Sequence, residues 1–335
     1  MPGLLTRRVQ IAASIESIKG TAKSLAAIDA KLLAYEPVFN FDPTQFKRNP
    51  YRKTLSRMNS IPGQQLCELT VQCEIMGPPF ASRGQSSIFA NLLRACGFSE
   101  SLSAGVSSTY VPRSTSFETI TLAIYEDGVM KKLGGAMGNV RISCKVGEPI
   151  MAEFTFQGKY STHSDTSMLS PSYPASVPLI FQNATVTVFG DSLLMQNLEI
   201  NMQNTVVMRD KPQDSTGFDY AIITERNPVM TFDPEAELVA THDFLSKLIS
   251  TTEAAVSIVV TATDNTKLTI SLPKARYTGV PSADRDGMRT YSATCELNMD
   301  SGDDEVSLVF AGTSTSTTTT STSTTSTTST STTLE

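Results

Sequence analysis

Long hydrophobic runs are missing from this sequence: the most apolar stretch, Ala254 to Ala262, is far too short to cross a bilayer. The N-terminal residues also lack the apolar core of a signal peptide, because Arg7 and Arg8 are followed by Gln10, Ser14 and Glu16. A soluble chain made in the cytoplasm, with no membrane partner, is the expectation. Cysteine patterns are absent too. Cys67, Cys73, Cys96, Cys144 and Cys295 are odd in number, show no CxxC spacing, and each falls on the apolar side of its expected strand or helix. They read as small buried hydrophobes of a reducing compartment, not as a disulfide framework or a zinc site. A basic excess is lacking as well: 27 Lys and Arg stand against 33 Asp and Glu, a net charge of −6. That argues against gripping nucleic-acid backbone by counterion release, but not against staying close to DNA without sticking.

The constellations that enzymes need are also missing. No HExxH, GxxxxGK[ST], GxSxG or GxGxxG occurs, and the sequence has two histidines. His163 falls in a Ser/Pro-rich stretch, and His242 falls in the first turn of a short helix, where it reads as a solvated polar residue. Gly134 to Gly138 precedes a strand rather than a helix, so it lacks the helix N-terminus a phosphate needs and reads as a turn. Asp127, Asp303, Asp304 and Glu305 read as solvated turn acids, and Asn183-Ala184-Thr185 is a lone glycosylation sequon. The expectation is no enzyme, no cofactor and no metal.

What the chain does have is a repeated pattern. In Ser86 to Phe98 the residues Ile88, Phe89, Leu92, Leu93 and Cys96 recur at i, i+1, i+4, i+5 and i+8, one face of a short helix capped by Ser86 or Ser87 and ended by Gly97. Asn91 and Arg94 point away. From Thr241, the expected second cap, Phe244, Leu245, Leu248 and Ile249 repeat that spacing. A strand precedes each helix, Cys67 to Ile75 and Ala221 to Phe232, and alternating strands follow. The reading is a tandem duplication of a strand, strand, helix, strand, strand, strand unit, with each helix plugging a β-sandwich.

The boundaries follow from composition. Residues 1–35 form an N-terminal arm with one strand (Val9, Ile11, Ala13, Ile15); residues 36–160 form the first sandwich, and 161–184 a Ser/Pro-rich linker. Residues 185–312 form the second sandwich. Residues 313–335 are a Thr/Ser tract with no apolar face to bury, expected to be extended or disordered. Asp42 to Gln65 reads as a long loop, basic in patches and broken by Pro43, Pro50, Pro62 and Gly63; loops of that length are commonly functional. Asp127-Gly128 marks a hairpin. Glu68, Glu74, Glu153, Glu199 and Glu296 all fall on polar faces of expected strands. If those strands share a sheet, one broad, acid-leaning surface results, diluted by Arg141 and Lys145; the residues alone slightly favour an ordinary solvated face.

Taken in order, Leu92 to Phe98, Tyr125-Glu126-Asp127-Gly128, Lys132 to Asn139, Gly147-Glu148-Pro149 and Phe154 to Gly158 resemble the tail tube proteins of long-tailed bacteriophages. The similarity continues at Asp284 to Gly287 and Asp303 to Glu305, spanning about Arg8 to Phe310. The resemblance implies a mainly β protein of tandem sandwich domains, each with one short α-helix, whose inner sheets close into a β-barrel ring on oligomerisation. Rings stack into a tube and double-stranded DNA passes down the bore without specific binding. It implies self-association, a homotrimer with pseudo-sixfold symmetry if two domains per chain replace two subunits, and tape measure, tail terminator and distal tail proteins as partners. The five glutamates would then face the lumen. The loop with Arg48, Tyr51, Arg52, Lys53 and Arg57 would contact the next ring.

Two other readings remain open from sequence. A secreted or cell-surface binding protein on a glycosylated Thr/Ser stalk explains the tail but not the missing signal peptide. A β-rich hydrolase would need a convincing carboxylate pair, which the chain does not offer.

Overall fold

The computed structural model describes residues 3–77, 88–173, 177–262 and 266–312. The expected cap at Ser86 or Ser87 and the Thr/Ser tract lie outside the described residues. The first half contains β1 (Val9–Ile15), β2 (Ala34–Phe46), β3 (Ile61–Glu74), α1 (Ile88–Ala95), β4 (Phe98–Ser103), β5 (Ser107–Pro112), β6 (Ile120–Glu126), β7 (Val129–Lys145) and β8 (Met151–Asp165). The second contains β9 (Thr185–Val188), β10 (Met195–Asn201), β11 (Asn204–Asp210), β12 (Phe218–Arg226), β13 (Val229–Pro234), α2 (Phe244–Ile249), β14 (Glu253–Thr261), β15 (Thr266–Gly279), β16 (Ser282–Arg285), β17 (Met288–Tyr291), β18 (Ala293–Asn298) and β19 (Ser307–Gly312). The chain is mainly β.

Period-two alternation builds the strands: β3 buries Cys67, Leu69, Val71 and Cys73, and β8 buries Ala152, Phe154 and Phe156. Both halves use one antiparallel pairing order, β1-β6-β7-β8-β3-β2 in the first and β9-β14-β15-β18-β13-β10 in the second. A helix follows β3 in one and β13 in the other. β8 is continuous, whereas its counterpart is broken into β18 and β19, both paired with β15. The halves join where β7 pairs with β10, Arg141 to Lys145 against Asn201 to Asn197. The strands β2, β3, β8, β7, β10, β13, β18 and β15 therefore form one uninterrupted sheet. A second join is β5 against β19, reinforced by Arg226, which donates to the Arg113 carbonyl (3.3 Å), and by Asp303, which accepts from Ser114 Oγ (2.5 Å).

Close packing fixes details. Phe154 and Phe156 are fully buried, each contributing about 1.5–3 kcal/mol by removal from water. Gly138 and Gly158 lie so close to neighbouring strands that a Cβ would collide with backbone oxygens. Gly135, at φ +60°, sits in a bulge of β7, and its N–H donates to the buried Glu16 carboxylate (2.7 Å). Glu16 also accepts from Gly20 N (2.8 Å), Thr119 (2.6 Å) and Thr121 (2.8 Å), so a buried charge is held entirely by hydrogen bonds.

The strand expected in the N-terminal arm is Val9–Ile15, and it pairs with β6 and buries Ile11 and Ala13 in the main core. Several expectations are corrected. Gly134 to Gly138 is a bulged strand, not a turn. Asp42 to Gln65 is a loop over residues 47–60, while its two ends belong to strands, because β2 and β3 pair out to Phe46 and Ile61. Prolines are tolerated there because β2 is an edge strand. β8 runs through His163 to Asp165, shortening the linker, whose end packs inward with Leu179 and Phe181 buried. Ala221 to Phe232 is two strands, interrupted at Asn227-Pro228. The second helix is capped by Asp243, which accepts from Ser246 N (2.9 Å), and not by Thr241.

Candidate assembly surfaces

The five glutamates share one face of the long sheet, opposite the core, because the strands pair in phase. Glu68 lies opposite Gln157, Gln72 opposite Glu153, Arg141 opposite Glu153, Ser143 opposite Glu199, and Arg276 opposite Glu296. Arg141 bridges the halves, donating to Glu153 (2.9 Å) and Glu199 (3.0 Å). Glu153 also accepts from Gln72 (2.7 Å). Burial works against ionising Glu153, yet the bonds from Arg141 and Gln72 outweigh it and hold the carboxyl below its usual range. Arg276 pairs with Glu296 (3.0 Å), Lys274 with Asp300 (3.0 Å) and Lys159 with Asp214 (2.7 Å). Lys145 pairs with Glu148.

This revises the acid-leaning picture. Arg141, Lys145, Lys159, Lys274 and Arg276 are matched by carboxylates, whereas among the described residues Lys267 joins no ion pair and none reaches Glu68 or Glu74. Glu74 accepts instead from the Tyr35 hydroxyl (2.8 Å). The surface is a mosaic of ion pairs with excess negative charge at Glu68 and Glu74 on β3 and where Glu153 and Glu199 share Arg141. Its lower edge is closed by the β11–β12 hairpin, which folds back over β7 and β8 and buries Met137 against Ala221 and Ile223. Sequence reasoning missed this hairpin. Its signal was Asp214 to Gly217 between two β-branched segments, where Asp214 accepts from Thr216 N and Oγ1 (2.9 and 2.7 Å).

Because every neighbouring pair in the sheet is antiparallel, β3 and β13, four strands apart, run the same way. Residues 47–60 lie at the end where β3 begins. Residues 235–252 lie at the opposite end, between the finish of β13 and the start of β14. The 47–60 loop carries Lys47, Arg48, Arg52, Lys53 and Arg57 with no acid, and Tyr51 and Leu55 stand wholly in solvent. Inside it, Arg52 donates to the Ser56 carbonyl (2.8 Å).

At the other end α2 buries Phe244 but exposes Leu245 and Ile249, and Leu238 and Val239 before it are exposed too. His242, expected in solvent, is sealed inside. Its Nδ1–H donates to Asp191 (2.7 Å), its Nε2 accepts from the Tyr277 hydroxyl (3.1 Å), and Lys247 donates to the same Asp191 oxygen (3.3 Å). Burial lowers the imidazole pKa, with Asp191 partly opposing, so the ring is neutral. A fully buried imidazole reaches no substrate; it staples the β9–β10 connection and α2 to β15. The turn acids likewise serve structure. Asp303 and Glu305 pair with Arg226, Asp304 accepts backbone N–H groups of Asp300 and Ser301, and Asp127 pairs with Arg8. All five cysteines are free and buried, and burial raises Cys67, Cys73 and Cys144 to about 12.

Among the described residues no helix is long and apolar enough to cross a membrane. Compared with protein families, residues 6–296 match the family described as phage tail tube protein. No curated protein matches the chain.

Proposed function

The chain belongs to the phage tail tube protein family, and from that premise we propose that it is the structural subunit of a siphovirus-like tail tube, stacked rings around a lumen through which the genome leaves the virion. In this reading each half is one tail-tube unit, and three chains close a pseudo-sixfold ring. The carrying observation is the uninterrupted sheet that crosses both halves from β2 to β15. Among the described residues β2 pairs only with β3, so its outer edge presents unpaired backbone groups. Such an edge invites pairing with another chain, and barrel closure removes it.

The polar face would line the bore. Most of its cations are already paired, so phosphate finds little free positive charge to release counterions against, and Glu68 and Glu74 add weak repulsion. A tape measure protein inside the bore, with terminator and distal tail proteins at the ends, completes the assembly; the subunit itself performs no catalysis. Assembly takes place in the host cytoplasm.

Residues 47–60 would provide the contact between rings. Deleting residues 48–59, which spares the paired part of β3, is expected to leave closed rings that no longer stack, seen by electron microscopy; tubes at the normal rate would remove the loop from this role. For the bore, Glu68→Lys with Glu74→Lys is expected to make assembled tubes retain DNA at low salt and release it at high salt. Unchanged retention would place the face away from DNA.

A further inference from the structure

We infer that the receptor for the 47–60 loop is the α2 end of a second copy of this chain in the next ring, with Tyr51 and Leu55 seating on Leu238, Val239, Leu245 and Ile249. The inference rests on the stacking role proposed above and adds the surface that meets the loop.

Three observations converge on it. First, the loop and the 235–252 segment lie at opposite ends of one sheet, as the common direction of β3 and β13 requires. In a head-to-tail stack the loop of one ring therefore faces the α2 end of the next, a heterologous contact that repeats without closing. Second, both surfaces carry bare apolar side chains. Tyr51 and Leu55 are wholly exposed, and Leu238, Val239, Leu245 and Ile249 are 77%, 73%, 55% and 81% exposed. Leu245 and Ile249 are one helical turn apart, and the Leu238 carbonyl accepts from Thr241 N (2.8 Å) and His242 N (3.0 Å), folding the two pairs into one short segment.

Third, the charges are complementary. The loop has five cations and no acid, whereas Asp233, Glu235, Glu237 and Asp243 lie in or beside the receptor segment and Lys247 is tied to Asp191. Asp233 and Glu235 are held by Arg285, and Asp243 caps α2, so Glu237 remains to meet a partner's cation. The His242 staple fixes α2 against β15 and makes the receptor a rigid surface.

The test is covalent capture. Leu55→Cys and Ile249→Cys are introduced together; the native cysteines are buried and do not compete. Mild oxidation of assembled tubes is expected to give a ladder of linked chains on a non-reducing gel, absent from either single variant. Tubes without a ladder would overturn the inference. Leu245→Glu with Ile249→Glu provides the second arm: rings should persist while elongation slows at least tenfold, and elongation at the wild-type rate would also overturn it. If the 48–59 deletion stops stacking but the α2 variant stacks normally, only the receptor is wrong. If the deletion stacks normally, the stacking role of the loop falls with it.

Discussion

α1 and α2 occupy the same place in their halves, one after β3 and the other after β13, yet they meet different surroundings. α1 buries Leu92 and Leu93, continues into β4, and has Arg94 locked to Glu118 (2.5 Å). α2 buries only Phe244, returns to the sheet at β14 within a few residues, and leaves Leu245 and Ile249 in water. The hairpin β4–β5 makes the difference. It follows α1, joins β19 of the other half, and nothing equivalent follows α2. The loops at the opposite end differ in the reverse sense: 47–60 extends freely in the first half, while β11–β12 folds back onto the chain. One half thus offers a free loop and the other a free helix face, which is the asymmetry a head-to-tail stack needs.

The largest effect should separate the helices. Leu93→Ala is expected to cost about 2–5 kcal/mol of unfolding free energy, and Ile249→Ala no more than about 0.5, in denaturant titrations of unassembled chain. Equal losses would mean that α2 is as enclosed as α1. Next comes Glu16, which supports the β7 bulge of the first half. Glu16→Ala leaves buried donors without an acceptor and should cost about 1–3 kcal/mol by the same titration. A smaller loss would show that water replaces the carboxylate.

A pH effect should mark the second half. Burial lowers the His242 pKa in the folded chain, so as pH falls through about 6.5 the unfolded chain takes up a proton that the folded one takes up only at lower pH. Its stabilising contribution is fully present above about 6.5 and is lost as pH falls toward the lowered folded value. Near-ultraviolet dichroism around Tyr277 should report the loss, and His242→Phe should flatten the slope. The smallest effect is expected at Arg141→Ala, where the pairs with Glu153 and Glu199 are partly exposed; about 1 kcal/mol or less should be lost, diminishing in salt.

Much of this was legible in the sequence. The spacing of Leu92, Leu93 and Cys96 set α1, with Gly97 at φ +84° ending it, and Asp127-Gly128 (φ +46° and +110°) turned β6 into β7. Alternation put all five glutamates on one face. What escaped depends on partners distant in the chain. Asp191 and Tyr277 bury His242, and nothing local announces them. Arg141 pairs with both Glu153 and Glu199 only because β7 lies in register between β8 and β10. The glycine run 134–138 looks like a turn until Glu16 is seen holding its N–H.

In the proposed assembly, one sheet spanning both halves closes with two further copies into a ring. Electron microscopy of concentrated protein, averaged without imposed symmetry, tests it most directly. Rings of three chains with a pseudo-sixfold inner barrel, built from β2 to β15 of each copy, are the predicted result. Sixfold rings whose bore is lined by only one half of each chain would contradict it.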